Sequence, residues 1–294
     1  MAKQRTPHAT PRPTLTLQDQ LPELRPGQSI ELLQELHILT REGKLNQDTR
    51  RKLKQVYHLV QFIEPLLQEA LDARGDVALA DHGAGKSYLG FILYDLFCKQ
   101  RPQGWVYGVE SRTELVAKST TLAQRLGFER MGFLACTVAE SLTHPALPKT
   151  IDVVTALHAC DTATDDAIAF GLARQARSLV LVPCCQAEVA SVMRQHKALQ
   201  LSRKPLAELW RHPLHTREFG SQITNVLRCL QLEAHGYQVT VTELVGWEHS
   251  MKNELILAKR LGPGHAGKAA QARERLQALL DELGLQELHG RFAV

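Results

Sequence analysis

The 294-residue sequence predicts an α/β fold: a seven-stranded, mostly parallel sheet with an antiparallel last strand, preceded by N-terminal helices. Three observations carry this. From about residue 75, apolar runs of roughly five residues alternate with amphipathic stretches, the pattern of parallel strands joined by crossover helices. The last two runs are separated only by residues 246–254, too few for a parallel crossover, so they pair antiparallel. The first run ends in an acid and a glycine-rich turn, Asp81-His82-Gly83-Ala84-Gly85-Lys86-Ser87, that opens a helix.

Residues 1–28 contain five prolines and read as an irregular arm. Residues 29–74 have apolar side chains at helical spacing, predicting two helices broken near Gly43, the second opening at Asn46. Residues 75–261 hold the strands, expected at 77–80, 105–109, 132–135, 151–157, 178–182, 237–245 and 255–259. The clearest helical connections are 87–99, 112–126, 163–176 and 220–235. Residues 262–294 form a tail with a helix at 266–283.

A content of 44% hydrophobic and 22% charged residues excludes disorder as the main state. No run of about 18 apolar residues is present, so no membrane partner is expected. The polar, proline-rich opening MAKQRTPHATPRP lacks the apolar core of a secretory signal, which predicts a cytoplasmic protein. Six cysteines at 98, 136, 160, 184, 185 and 229 show no regular spacing, so reduced thiols are expected.

The first turn has two competing readings. Gly85-Lys86-Ser87 ends like a phosphate-binding loop, but position 80, where GxxxxGK[ST] needs glycine, is Ala80. S-adenosylmethionine carries an ammonium and a sulfonium instead of phosphates, and Asp81 suits those charges. Glu110, at the end of the second strand, is placed to accept both ribose hydroxyls of a bound nucleoside. Thr137, after the third strand, is expected near the adenine edge. The donor-binding set is therefore Asp81, Gly83, Gly85, Lys86, Glu110, Thr137 and His158, with S-adenosylmethionine as the cofactor.

Parallel strands share one carboxyl edge, where open α/β sheets bind ligands. That edge gathers His158, Cys160 and Asp161 after the fourth strand and Cys184 and Cys185 after the fifth, the candidate catalytic residues. The cysteines have three readings: small packing residues beside a cofactor, covalent nucleophiles, or metal ligands. Adjacent cysteines do not readily chelate one ion together, and no C-x₂-C is present, so no metal is expected.

The motifs Asp81-His-Gly-Ala-Gly-Lys86, Leu157-His-Ala-Cys-Asp-Thr-Ala-Thr-Asp165, Pro183-Cys-Cys-Gln186 and His249-Ser-Met-Lys-Asn253 occur in that order between Asp76 and about Arg260. In this combination the chain resembles a family of class I, Rossmann-like methyltransferases. That family includes the methyltransferase-like 25 group and the methyltransferase half of the glutathione S-transferase C-terminal-domain-containing protein. The resemblance implies donor binding by Asp81, Gly83, Gly85 and Glu110 and leaves the acceptor open.

Two basic segments bear on the acceptor. Residues 1–60 hold ten Lys/Arg against six Asp/Glu, with Arg50, Arg51, Lys52 and Lys54 clustered at the start of the second helix. Residues 191–219 hold six Lys/Arg against two Asp/Glu, including Arg203, Lys204 and Arg211, beside Trp210. Cations for phosphates and an indole for an unstacked base suit RNA, although solvated amphipathic helices would look the same. The expected activity is S-adenosylmethionine-dependent methylation of RNA. Its rivals are methylation of a protein or small molecule, a donor-binding protein without turnover, and a variant phosphate-loop nucleotide binder. The oligomeric state is not legible.

Overall fold

The computed structural model describes residues 21–157, 159, 161–184, 186–195, 205–244, 253–262 and 264–293, with the backbone alone at 205–207. Helix α1, Ile30–Glu35, starts where the Ser29 hydroxyl accepts the Leu32 amide. Helix α2, Gln47–Arg74, is closed at its start by a capping box in which Asn46 and Thr49 bond reciprocally. It ends at Gly75, which adopts φ +76°.

Seven strands follow: β1 Ala78–His82, β2 Trp105–Glu110, β3 Met131–Ala135, β4 Val153–Leu157, β5 Ser178–Val182, β6 Tyr237–Glu243 and β7 Glu254–Arg260. They form one sheet in the order β3-β2-β1-β4-β5-β7-β6. β7 runs antiparallel to both of its neighbours, and the pairs among β1 to β5 are parallel. The expected sheet is present, terminal hairpin included. The strand order reverses between β1 and β4, which puts a ligand crevice outside their carboxyl ends.

Helices cover both faces. On one lie α2 and α3, Tyr88–Leu93, the latter continuing as a wider π turn through Tyr94–Cys98. Helix α4, Thr113–Arg125, joins β2 to β3. On the other face lie the short α5, Val138–Ser141, and α6, Thr162–Ala173. The C-terminal part of helix α2 is anchored at the amino edge of the sheet: Arg74 pairs with Asp152 just before β4, and Glu69 with Lys259, which stands opposite Ser178 at the start of β5. At about 1.5 Å per residue its 28 residues span about 42 Å, against about 17 Å for a five-residue strand. At its other end Asn46 and Thr49 line a cavity with Glu35 and His37, which also line the cavity holding Lys86 of the turn after β1, so the first turns of α2 lie on the carboxyl-edge side.

The structure departs from the sequence reading at three places. Strand β1 continues through His82, because β2 and β4 flank it and extend its ladder on both sides; Asp81 lies inside the strand, not one residue beyond it. The helix before β6, α8, begins at Pro213, so part of the expected basic insertion is its first two turns. Most consequentially, α7 (Glu188–Gln195), the 3₁₀ turn Pro205–Arg211, α8 (Pro213–Ala234) and α9 (Ala266–Glu282) build a third apolar core. It contains Val189, Met193, Trp210, Leu227, Leu276 and Phe292.

Candidate donor crevice and its rim

Asp81 and Thr155 occupy partnered positions on β1 and β4. Thr155 Oγ1 donates to Asp81 Oδ1 at 2.6 Å, and both residues are almost completely buried. Burial, with no cation paired to it among the described residues, pushes the Asp81 carboxyl up to about 7. The next residue, His82, points to the other face, where it packs edge-on to Phe170 and its Nε2 lies 3.2 Å from Ser141 Oγ. Burial holds its pKa down at about 3, so the imidazole is neutral.

The glycine turn is built for close approach. Gly83 adopts φ +64°, and a Cβ there would meet Ala159 of the loop after β4 at 3.5 Å. Gly85, at φ +58°, donates its N–H to Glu110 Oε2 at 2.8 Å, and Ala84 donates to the carbonyl of Val109. The end of β2 thus anchors the turn that follows β1. Glu110 also accepts the backbone N–H of Arg112 and its guanidinium through Nε and Nη2. These bonds, the Arg112 side chain first, hold the carboxyl down at about 2.

The other residues expected at the donor site are placed differently. Lys86 is exposed and lines a cavity of about 490 Å³ with Glu35, His37, Tyr88, Lys118 and Arg125, between α1, α3 and α4. Thr137 caps α5: its hydroxyl accepts the Glu140 amide, and its own amide donates to the Glu140 carboxylate. The Thr137 hydroxyl and amide, expected near an adenine edge, are thus engaged in a local capping box. His158 lies outside the described residues.

Of the catalytic candidates, Cys160 and Cys185 also lie outside the described residues. Cys184 is a half-buried thiol. Asp161 has a non-glycine φ of +51°, and its carboxylate accepts the amides of Ala187 and Glu188 at 3.0 and 3.4 Å. Its Oδ1 takes both bonds and ties the loop after β4 to the start of α7. Among the described residues no group of three or more His, Cys, Asp or Glu side chains has metal-holding geometry. No helix among them is long and apolar enough to cross a membrane.

The acceptor candidates divide. Arg50, Arg51, Lys52 and Lys54 are all exposed at the start of α2. Arg50 reaches Glu23 at 3.2 Å and Arg51 reaches Asp48 at 4.0 Å. Arg211 is exposed and paired with Glu208 at 2.9 Å. Trp210 is a correction: it is buried in the third core, edge-on to Phe219, and offers no stacking surface. Arg203 and Lys204 lie outside the described residues.

Sequence reasoning missed Thr155, Arg112 and a buried cluster around Arg228. Thr155 had a signal, as the one polar residue within Val153-Val-Thr-Ala-Leu157. Arg228 had a weaker one, a cation flanked by Leu227 and Leu230 on a helix with an apolar face.

Residues 51–192 match the family model described as a methyltransferase domain. No curated protein shows a significant sequence match. Solved structures with similar folds include an rRNA methylase from Streptococcus thermophilus, at 12% identity over 69% of this chain and 96% of that one, with a TM-score of 0.43. Another is magnesium protoporphyrin IX methyltransferase from Synechocystis PCC 6803, at 15% identity over 79% and 93% of the two chains and a TM-score of 0.41. A third is Aeropyrum pernix fibrillarin, at 12% identity over 62% and 66% and a TM-score of 0.38. Residues 51–192 thus carry a methyltransferase domain, and with this sheet order the chain is an S-adenosylmethionine-dependent methyltransferase of Rossmann-like, class I fold.

Proposed function

We propose that this methyltransferase acts on RNA and binds its donor between the Asp81 and Glu110 loops. S-adenosylmethionine supplies an electrophilic sulfonium methyl. Asp81, a buried carboxylate with a single neutral partner, fits the donor's ammonium, because a cation there would relieve an otherwise unfavourable buried charge. Glu110 fits the ribose hydroxyls once the exposed Arg112 side chain yields. The domain's part in catalysis is to hold the acceptor atom in line with the methyl group, since orientation alone can supply much of the rate.

The observation that carries the RNA reading is the exposed cluster Arg50, Arg51, Lys52 and Lys54, on the first turns of α2 at the carboxyl-edge side of the sheet. Lys52 and Lys54 have no ion-pair partner among the described residues, which leaves both cations available to phosphates. Changing all four residues to Gln is expected to weaken RNA binding and flatten its salt dependence while donor affinity is kept. With about 0.7 counterions released per single-strand phosphate contact, the log–log slope should fall by about 1.4 for the two unpaired lysines and by about 3 where the arginines exchange their carboxylates for phosphates. Mass spectrometry of RNA nucleosides from cells with and without the protein then identifies the methylated base. An unchanged affinity and slope would turn the assignment to a protein or small-molecule acceptor.

A further inference from the structure

Three rim segments meet at one buried arginine. Arg228 of α8 is 1% exposed. Its Nε and Nη2 donate to the two oxygens of Asp165 on α6, both at 2.7 Å. Nη2 also donates to the carbonyl of Asp161 at 2.9 Å, and Nη1 to Asn225 Oδ1 at 3.2 Å. Asn225 passes the connection on. Its Oδ1 accepts Gln186 Nε2 at 3.0 Å from the loop after β5, and its Nδ2 donates to Glu254 Oε2 at 2.7 Å at the start of β7. Ser221 completes the chain by donating to Gln186 Oε1. The loop after β4 is separately tied to the one after β5, through the Asp161 carboxylate and the amides of Ala187 and Glu188.

We propose that Arg228 is a positioning residue for methyl transfer, locking the loops after β4 and β5 and the entry to β7 into one arrangement. Its burial keeps it from touching either donor or acceptor. Charge balance against Asp165 would need only one ammonium. The planar guanidinium instead spends four of its N–H directions on partners from three segments, a geometry no lysine reproduces. The arrangement also pins Asp161 in a positive-φ conformation that a non-glycine residue does not adopt freely, and which would relax without the bond to its carbonyl. Ala159, next to Gly83 of the donor turn, belongs to the same loop; the Thr164 hydroxyl holds its carbonyl at 2.6 Å. The fixed rim is therefore continuous with the donor crevice.

The proposal rests on the reading that these loops border the reacting groups, and its test separates the two. In single-turnover transfer of labelled methyl from S-adenosylmethionine to RNA from cells lacking the protein, Arg228→Lys is expected to slow the chemical step at least tenfold. Affinity for S-adenosylhomocysteine should stay within twofold. Gln186→Leu should slow the step as well, and the double variant should be no slower than Arg228→Lys, because both changes break one network. An unchanged rate, a parallel loss of donor affinity, or effects that multiply would each overturn the positioning role. Hydrogen exchange reads the same coupling without an acceptor. Peptides containing Asp161, Gln186 and Glu254 should all exchange faster in Arg228→Lys, with the 81–87 turn unchanged; loosening confined to one segment contradicts the proposal. If the native protein transfers nothing to RNA, the acceptor reading fails and the exchange result still decides this one. If Arg228→Lys does not fold, Gln186→Leu carries both measurements.

Discussion

Thr155 Oγ1 donates a 2.6 Å hydrogen bond to Asp81 across the β1–β4 pair, joining two side chains from the central strands at the point where the strand order reverses. It is a neutral contact to a buried acid, leaving the carboxyl poised near neutrality, and several expectations follow from that poise.

Donor affinity should depend on pH through Asp81. Its pKa is raised to about 7 in the empty protein, and an ammonium ligand favours the ionised form, so binding releases a proton below that value. Calorimetric titration with S-adenosylhomocysteine should show affinity rising by up to tenfold per unit between pH 5.5 and 7 and levelling off above it. Glu110, held at about 2, contributes nothing to this window. Asp81→Asn should bind at least tenfold more weakly at pH 8, with no such pH dependence.

The same shift makes Asp81 a cost to the empty fold. A carboxyl whose folded pKa exceeds its unfolded value holds a proton that the unfolded chain has released, so stability falls as pH rises from about 4 to about 7. Asn keeps an acceptor for Thr155 without the buried charge. Thermal melts at pH 8 should therefore show donor-free Asp81→Asn to be more stable than the native chain, and near pH 4 the difference should vanish. Stability exchanged for a binding charge is the common pattern at functional sites.

Much of this was legible in the sequence. The strands were, because each buried run is short, apolar and bounded by turn residues, and the nine residues before Leu255 allowed only an antiparallel return. Asp81 and Glu110 were legible as acids near the carboxyl ends of strands, although β1 runs one residue past Asp81. Trp210 was not: the basic residues around it suggested a nucleic-acid surface, whereas the indole is buried edge-on to Phe219 in a cluster that also contains Val189, Met193 and Phe292. Nor was the Arg228 hub, whose partners Asp161 and Asp165 lie 67 and 63 residues away. Periodicity reports which face of an element is buried, but not which polar side chains meet there.

Arg112 and the donor's ribose should compete. Both oxygens of Glu110 already accept from the Arg112 side chain, and the guanidinium lies 3.8 Å from where a Cβ on Gly85 would sit. Arg112→Ala should tighten S-adenosylhomocysteine binding about two- to fivefold in titration calorimetry. A tenfold loss would instead make Arg112 a donor-contacting residue.

Trp210 should matter to stability and not to RNA. Truncating a buried aromatic costs about 3–5 kcal/mol, so Trp210→Ala should lower the denaturation midpoint steeply. Trp210→Phe keeps most of the packing and should leave RNA affinity, measured by fluorescence anisotropy, unchanged. A selective loss of single-strand binding in the folded Phe variant would restore the indole as a base platform.

The central claim is that the crevice between Asp81 and Glu110 holds a methyl donor and not a nucleoside triphosphate. Titration of the purified chain with S-adenosylmethionine and, separately, with ATP and Mg²⁺ tests it directly. The account predicts one donor molecule bound per chain, binding weakened at least tenfold by Glu110→Gln and by Asp81→Asn, and no saturable ATP binding. Saturable ATP binding with none of S-adenosylmethionine, unaffected by Asp81→Asn, would contradict it.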